Sequence, residues 1–343
     1  MIRSSPCKLY IDGLVVGQGR VLILEFIVLL SIGVGIGILA SMVGISGGAF
    51  KTPILIIIFG LVAEIAAASS LISALFVAVA STIGYYKKDQ QLIGYKIGLL
   101  FIITTIPGTY FGILLRTIIG NREMLVFIFG LVLFPVALKL FLAMPRIQNH
   151  KDEEKRAPHF NQMNRNKVVI AIFAAFFAGV LAGFIGLGGG TIIVPVLCIL
   201  LEFPMIAAAA TSMFTMIFTS STGTIMNYIF LFQTENGTVF LFYGLALGIG
   251  TLIGGLTGSK YAYYVNTAKL QRLFGFLLIF PLVTMMRLGH LWLDPSGSDY
   301  FLGTTGNAII WLLIGIPIWL LSLLYRKRGD IPNQESIADL TIE

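Results

Sequence analysis

Charge is scarce in this chain. Asp, Glu, Lys and Arg make up 11% of its 343 residues, under half of the roughly 25% of an ordinary soluble domain, which excludes a water-exposed globular surface for most of its length. Histidine is just as sparse. The three present, His150, His159 and His290, all stand in polar stretches, and no HisGluXXHis, CysXXCys or GlyXSerXGly pattern occurs. The two cysteines, Cys7 in the N-terminal stretch and Cys198 in an apolar run, are too few for a disulfide framework. With no acid–base or metal cluster in sight, an enzyme is the least favoured class, and no cofactor and no metal is expected.

Apolar sequence is what remains. Hydrophobic residues reach 57% and the mean hydropathy is +0.92, so the chain reads as an all-α polytopic membrane protein whose length divides into spans of about 20 residues. The candidate windows are Val21 to Val43, Ala63 to Tyr86, Tyr95 to Ile118, Met124 to Met144, Val168 to Leu187, Ala207 to Phe232, Val239 to Tyr261, Leu270 to Leu288 and Asn307 to Leu324, about nine spans. The first is too long for the apolar region of a signal peptide and is expected to be retained. Two further runs, Thr52 to Val62 and Thr191 to Phe203, are too short to cross alone and too apolar for loops, as suits half-helices or re-entrant segments. The formal charge of +7 comes from Lys and Arg in short loops between spans, the pattern of cytoplasmic loops rather than of a nucleic-acid surface.

An internal repeat organises these windows. SMVGISGGAFKTPIL from Ser41 to Leu55 returns as GFIGLGGGTIIVPVL from Gly183 to Leu197, at an offset of 142 residues, as from Pro53 to Pro195. The register persists: AAASS at Ala66 to Ser70 falls on AAATS at Ala208 to Ser212, Tyr86 on Tyr228, and Gly108, Thr109 and Gly112 on Gly250, Thr251 and Gly254. It drifts by a few residues only near the end of each half, where Gly130 meets Gly275. The expected organisation is an N-terminal tail (1–20), a first transmembrane repeat (21–145), a polar linker (146–167), a second repeat (168–289), a loop with an appended transmembrane helix (290–325) and a C-terminal tail (326–343). If the short runs count as crossings the halves are inverted, and if they are re-entrant the halves are parallel. The inverted arrangement is favoured, because it gathers Lys87, Lys88, Lys96, the linker, Lys260, Lys269 and Arg272 on one face.

Glycine clusters inside an apolar run let the backbone leave helix geometry. In lipid such a break survives only when packed in protein or lining a cavity. A short helix that restarts after the break turns its N–H groups and positive dipole end toward the interior, where an anion is favoured. A break repeated in two halves is the mark of a transporter site. The candidate substrate-binding residues are therefore Ser46, Gly47, Gly48 and Lys51 in the first motif, Gly188, Gly189, Gly190 and Thr191 in the second, and the hydroxyls Ser69, Ser70, Thr211 and Ser212 on the helix after each. The bland reading of those hydroxyls, with Ser73, Ser81, Thr215 and Thr222, is close helix packing by small residues. Glu64 and Glu202 are weaker candidates for a proton carrier, since they are not register-equivalent. A nucleotide site at GlyLeuGlyGlyGly lacks its strand and its GlyLys ending.

Two Gly-rich segments ending in Pro-X-Leu, each followed by an AlaAlaAla(Ser/Thr)Ser helix and a Gly-Thr-X-X-Gly helix, resemble the sulfite exporter TauE/SafE family of membrane transporters, over nearly all of Ile32 to Leu288. The first half departs from the pattern, with Ser46 in place of a glycine and Lys51 where a hydrophobic residue is common. The resemblance implies a permease of the cell membrane moving a small sulfur-containing anion such as sulfite or a sulfonate, driven by a gradient of protons or sodium. The partners expected are thus a small anion, a coupling ion and the lipid bilayer, with no nucleic acid, while a homo-oligomer stays open. Against this secondary transporter stand an anion-selective channel and a non-transporting membrane scaffold.

Overall fold

The computed structural model describes residues 18–61, 63–118, 156–158, 160, 163–231 and 237–265, with 306, 309, 312 and 313 besides. The described residues hold eight α-helices: α1 (Gln18–Val43), α2 (Gly48–Phe59), α3 (Ala63–Lys88), α4 (Tyr95–Ile118), α5 (Arg165–Ile185), α6 (Gly190–Pro195), α7 (Met205–Leu231) and α8 (Gly237–Tyr264). There is no strand among the described residues. Six helices, all but α2 and α6, are long and apolar enough to cross a membrane. The expected spans from Met124 to Met144 and Leu270 to Leu288, most of the one from Asn307 to Leu324, both tails and most of the linker lie outside the described residues.

The 142-residue register pairs α1 with α5, α2 with α6, α3 with α7 and α4 with α8. Each short helix starts where a glycine permits it. Gly47 (φ 70°) and Gly189 (φ 83°) take the left-handed conformation immediately before α2 and α6. The second short helix loosens after Pro195, which lacks an N–H, into a π-helical turn over Val196–Leu200.

α3 and α7 form the interior. In their spans 78% and 72% of residues are buried, against 33% in α1, which is why these two helices carry the Ala, Ser and Thr runs. Ala66 to Leu71 and Ile206 to Met213 are all fully buried. The outer helices show lipid Ile103, Phe173 and Ile253.

The outer helices are exchanged between halves. α1 packs on α8, and α5 on α4. Both seams are glycine on backbone. A methyl on Gly33 would meet Gly250 Cα at 3.1 Å, one on Gly37 would meet Thr251 Cα at 2.8 Å and Gly254 Cα at 3.1 Å, and Gly258 adjoins Ile38. In the other seam Gly108 adjoins Gly179 and Val180, and Gly183 adjoins Thr109 and Ile113. Contacts that climb together along both chains mark parallel pairs. α3 and α8 run parallel as well, from Ile72 against Gly244 and Phe76 against Gly248 to Gly84 against Ser259. So do α4 and α7, from Gly94 beside Thr211 to Arg116 hydrogen-bonded to Asn227. Close approach of backbones through glycine is how apolar helices associate where lipid offers no hydrophobic drive.

Candidate functional site

The two glycine motifs meet in the interior, and they are built from corresponding parts. α1 ends as Gly44 turns left-handed (φ 84°), and α5 ends as Gly186 does (φ 81°). Gly44 lies against the backbone of Ala209, and Gly186 against that of Ala67, a pair related by the same offset. No side chain fits between them, which explains the alanine runs. Ser212 Oγ donates to Gly44 O at 3.0 Å, and Ser70 Oγ donates to Gly186 O at 3.2 Å. Gly190 packs on Gly44 O and Ile45, as Gly48 does on Gly186 O and Leu187. Each half thus holds the other's helix break, and the carbonyls freed by the break are satisfied by hydroxyls from the opposite half.

The symmetry fails at a few positions. Ser46 Oγ donates to Leu187 O at 2.5 Å and accepts from the Gly48 N–H at 3.2 Å. Its counterpart Gly188 has no oxygen to offer Gly190, and its Cα sits where a methyl would meet Ser46 Oγ at 2.7 Å. Gly47 is walled by Ile36, Ala40 and the Lys51 stem, with Ile36 Cγ2 2.5 Å from where a methyl would stand. Gly189 faces the equivalent Ala178, Ala182 and Ile193, none nearer than 3.5 Å.

Lys51 is the largest departure. It is fully buried, in place of Ile193 of the other half, and its Nζ donates to Ser46 O at 2.6 Å. It makes no ion pair among the described residues. The ion pairs described, Arg156–Asp89 at 3.0 Å and Lys167–Glu202 at 2.5 Å, are at the end of the molecule where α4 and α5 begin. An ammonium taken out of water and given one carbonyl has two N–H donors to spend. Thr191, 3% exposed, has a hydroxyl without a hydrogen-bond partner among the described residues.

Ten of the twelve sequence candidates therefore share this junction: Ser46, Gly47, Gly48, Lys51, Ser70, Gly188, Gly189, Gly190, Thr191 and Ser212. Ser69 and Thr211 turn elsewhere. Ser69 Oγ donates to Phe240 O at 3.1 Å, and Thr211 Oγ1 accepts from the Gly94 N–H at 2.9 Å, so both tie helix to helix. Thr215 bonds within its own helix, to Thr211 O at 3.0 Å. Glu64 and Glu202 are exposed, the latter in the ion pair with Lys167. Met216, whose Sδ adjoins Gly190 and lies 3.8 Å from Ser212 Oγ, is a wall of the junction that the repeat hides, because Ala74 occupies its position in the first half. Among the described residues no group of His, Cys, Asp and Glu could hold a metal ion.

A bundle of apolar spans with two mutually clasped helix breaks at its centre defines a multi-pass membrane protein. The profile of one family, described as Sulfite exporter TauE/SafE, matches residues 29–285; the chain belongs to that family of membrane transporters. It is 29% identical over 271 residues to "Probable membrane transporter protein YunE" of Bacillus subtilis (strain 168), covering 75% of this chain and 95% of that protein. It is 25% identical over 252 residues to a "Probable membrane transporter protein" of Xylella fastidiosa (strain Temecula1 / ATCC 700964), covering 71% of this chain and 88% of the relative. No solved structure matches.

Proposed function

We propose that the protein is a secondary transporter that carries a small sulfur-containing anion, sulfite or a sulfonate, by alternating access around the junction of the two glycine motifs. The observation that carries this reading is Lys51: a fully buried amine with no carboxylate partner among the described residues, at the helix break where the two halves clasp. An ionisable group at membrane depth is costly and is retained for function. The substrate anion is held by the Lys51 ammonium, the Thr191 hydroxyl and backbone N–H groups of Gly47, Gly189 and Gly190, the Gly48 N–H being engaged by Ser46 Oγ. Ser46, Ser70, Gly188 and Ser212 keep the broken segments in place, and Ser69 and Thr211 hold the surrounding helices.

The halves are inverted in this reading. α1, α3 and α8 run together in one direction, and α4, α5 and α7 together in the other, since the short connection 89–94 turns α3 back into α4. Each long helix of the first half is then opposed to its counterpart, and α2 and α6 are the returns that let α1 and α3, or α5 and α7, point the same way. Rocking of one such unit on the other opens the midplane site to each side in turn. Lys87, Lys88, Lys96, Arg165, Lys167 and Lys260 fall at one end, which is cytoplasmic by the distribution of basic residues.

Thermal unfolding of the purified protein against sulfite, thiosulfate, sulfate, methanesulfonate, taurine and chloride tests the reading. A bound anion at 100 times its Kd adds about 2.7 kcal/mol. Stabilisation by a sulfur oxyanion or sulfonate, lost in Gly190→Val, is expected. No stabilisation by any of them overturns the assignment of an anion carrier.

A further inference from the structure

Among the described residues, Lys51 has no group that balances a charge on it. Its stem shares the wall of Gly47 with Ile36 and Ala40 of α1, and its head meets the Ser46 carbonyl; Ser70 of α3 and Leu187 adjoin Gly48. None of these titrates. On the elements packed against α2, Glu25 stands about three turns before Ile36 on α1, Glu64 is exposed at the start of α3, and Tyr85, Lys87 and Lys88 are at its far end, with Tyr85 O–H committed to Ser41 O at 2.7 Å. An isolated charge out of water is strongly disfavoured unless an opposite charge accompanies it. A proton on Lys51 and an anion beside it therefore each favour the binding of the other, and by linkage the two effects are equal.

We infer that Lys51 is the coupling site of the transporter: a monoanion and one proton enter the junction together, the proton on the Lys51 amine and the anion against the ammonium so formed. This rests on the anion-carrier reading above and adds the coupling ion and the charge of the substrate. The bookkeeping is one proton taken from water and bound to nitrogen, with no bond to the anion. A monoanion thus crosses with its proton as a neutral pair, and the empty carrier returns with Lys51 uncharged and tied to Ser46 O. Ile193 at the equivalent place means that the second glycine motif carries no such site. A dianion bound there keeps one uncompensated negative charge, so methanesulfonate is favoured over sulfate.

The test uses methanesulfonate, whose charge does not change between pH 6 and pH 9. Purified protein in weakly buffered detergent solution, with a pH indicator present, is mixed with the anion. We expect about one proton taken up per anion bound, and an affinity that falls about tenfold per pH unit on the alkaline side. Lys51→Arg, with a cation that does not titrate, is expected to bind with no proton uptake, and Lys51→Met to lose binding, while both elute from size exclusion as the wild type does. In vesicles an inward proton gradient should drive methanesulfonate uptake by the wild-type chain. Binding of methanesulfonate with no proton uptake by the wild-type protein, which needs no variant to fold, overturns the coupling and leaves the anion site standing. Unchanged uptake in Lys51→Arg overturns the assignment to Lys51. Absence of stabilisation by every anion of the wider panel overturns the carrier reading, and the coupling with it.

Discussion

Single side chains at the junction act in two-fold pairs, and the pairing makes a quantitative expectation. Ser70 and Ser212 each donate to one carbonyl at a helix end, Gly186 O and Gly44 O, across the same interface. Removing either hydroxyl leaves a buried carbonyl short of a donor. Ser70→Ala and Ser212→Ala are each expected to lower the stability of the protein in detergent by about 0.5–1.5 kcal/mol, and by similar amounts. A thermal unfolding comparison checks this, and a variant no less stable than wild type would show that the hydroxyl ties nothing. The position of both serines was legible as a register of 142 residues. Their partners were not, because the repeat relates each serine to its copy and says nothing of which half it bonds. Lys51 shows the converse: it stood out by failing to repeat, and departures from a repeat survive burial only where something uses them.

At the scale of the helix, glycine spacing decides which faces are shut to lipid. Gly37 lies in the α1–α8 seam, where a Cβ would come within 2.8 Å of the Thr251 backbone, whereas Gly35, two residues earlier, has nothing within 4 Å. Gly37→Leu is expected to cost roughly 1–3 kcal/mol of stability through overpacking, and Gly35→Leu to stay within about 0.5 kcal/mol of wild type. Equal effects of the two substitutions on the unfolding temperature would remove the seam from the account. Helix bounds were readable from the apolar runs: the window Tyr95 to Ile118 coincides with α4. The start of the first short helix was not, since α2 begins at Gly48 rather than Thr52. What starts it is the left-handed turn at Gly47, a backbone property with no trace in hydropathy. Nor could the pairing of α1 with α8 be seen, because glycine stripes on an apolar helix carry no polar contrast by which to tell one face from another.

For the whole molecule, the distribution of charge sets a direction. Basic residues collect at the end where α3 and α8 finish and α4, α5 and α7 begin, while Glu25 and Glu64 lie toward the other. On a chain freed of Cys7 and Cys198, Lys88→Cys is expected to react with an impermeant maleimide only from the cytoplasmic side, and Glu64→Cys only from outside, as read in right-side-out and inverted vesicles. Labelling of both from one side would rule out the orientation and the return of the chain through α2. About six of the nine expected spans fall on described helices, and the family likeness was carried by two motifs and their followers. The parallel pairing of α1 with α8 and of α4 with α5 needed contact registers, which only a folded arrangement supplies.

The exchanged pairing of α1 with α8 also imposes an order on biosynthesis. α1 seats against a helix made some two hundred residues later, as Gly33 against Gly250. Until then its glycine face has no partner and must wait in the bilayer or in the care of the insertion machinery. A chain cut short before α8 keeps every residue of the first glycine motif, yet lacks the helix that holds α1 upright beside it. Completion of α8 is what closes the seam on α1, so the first half is finished only when much of the second has been made.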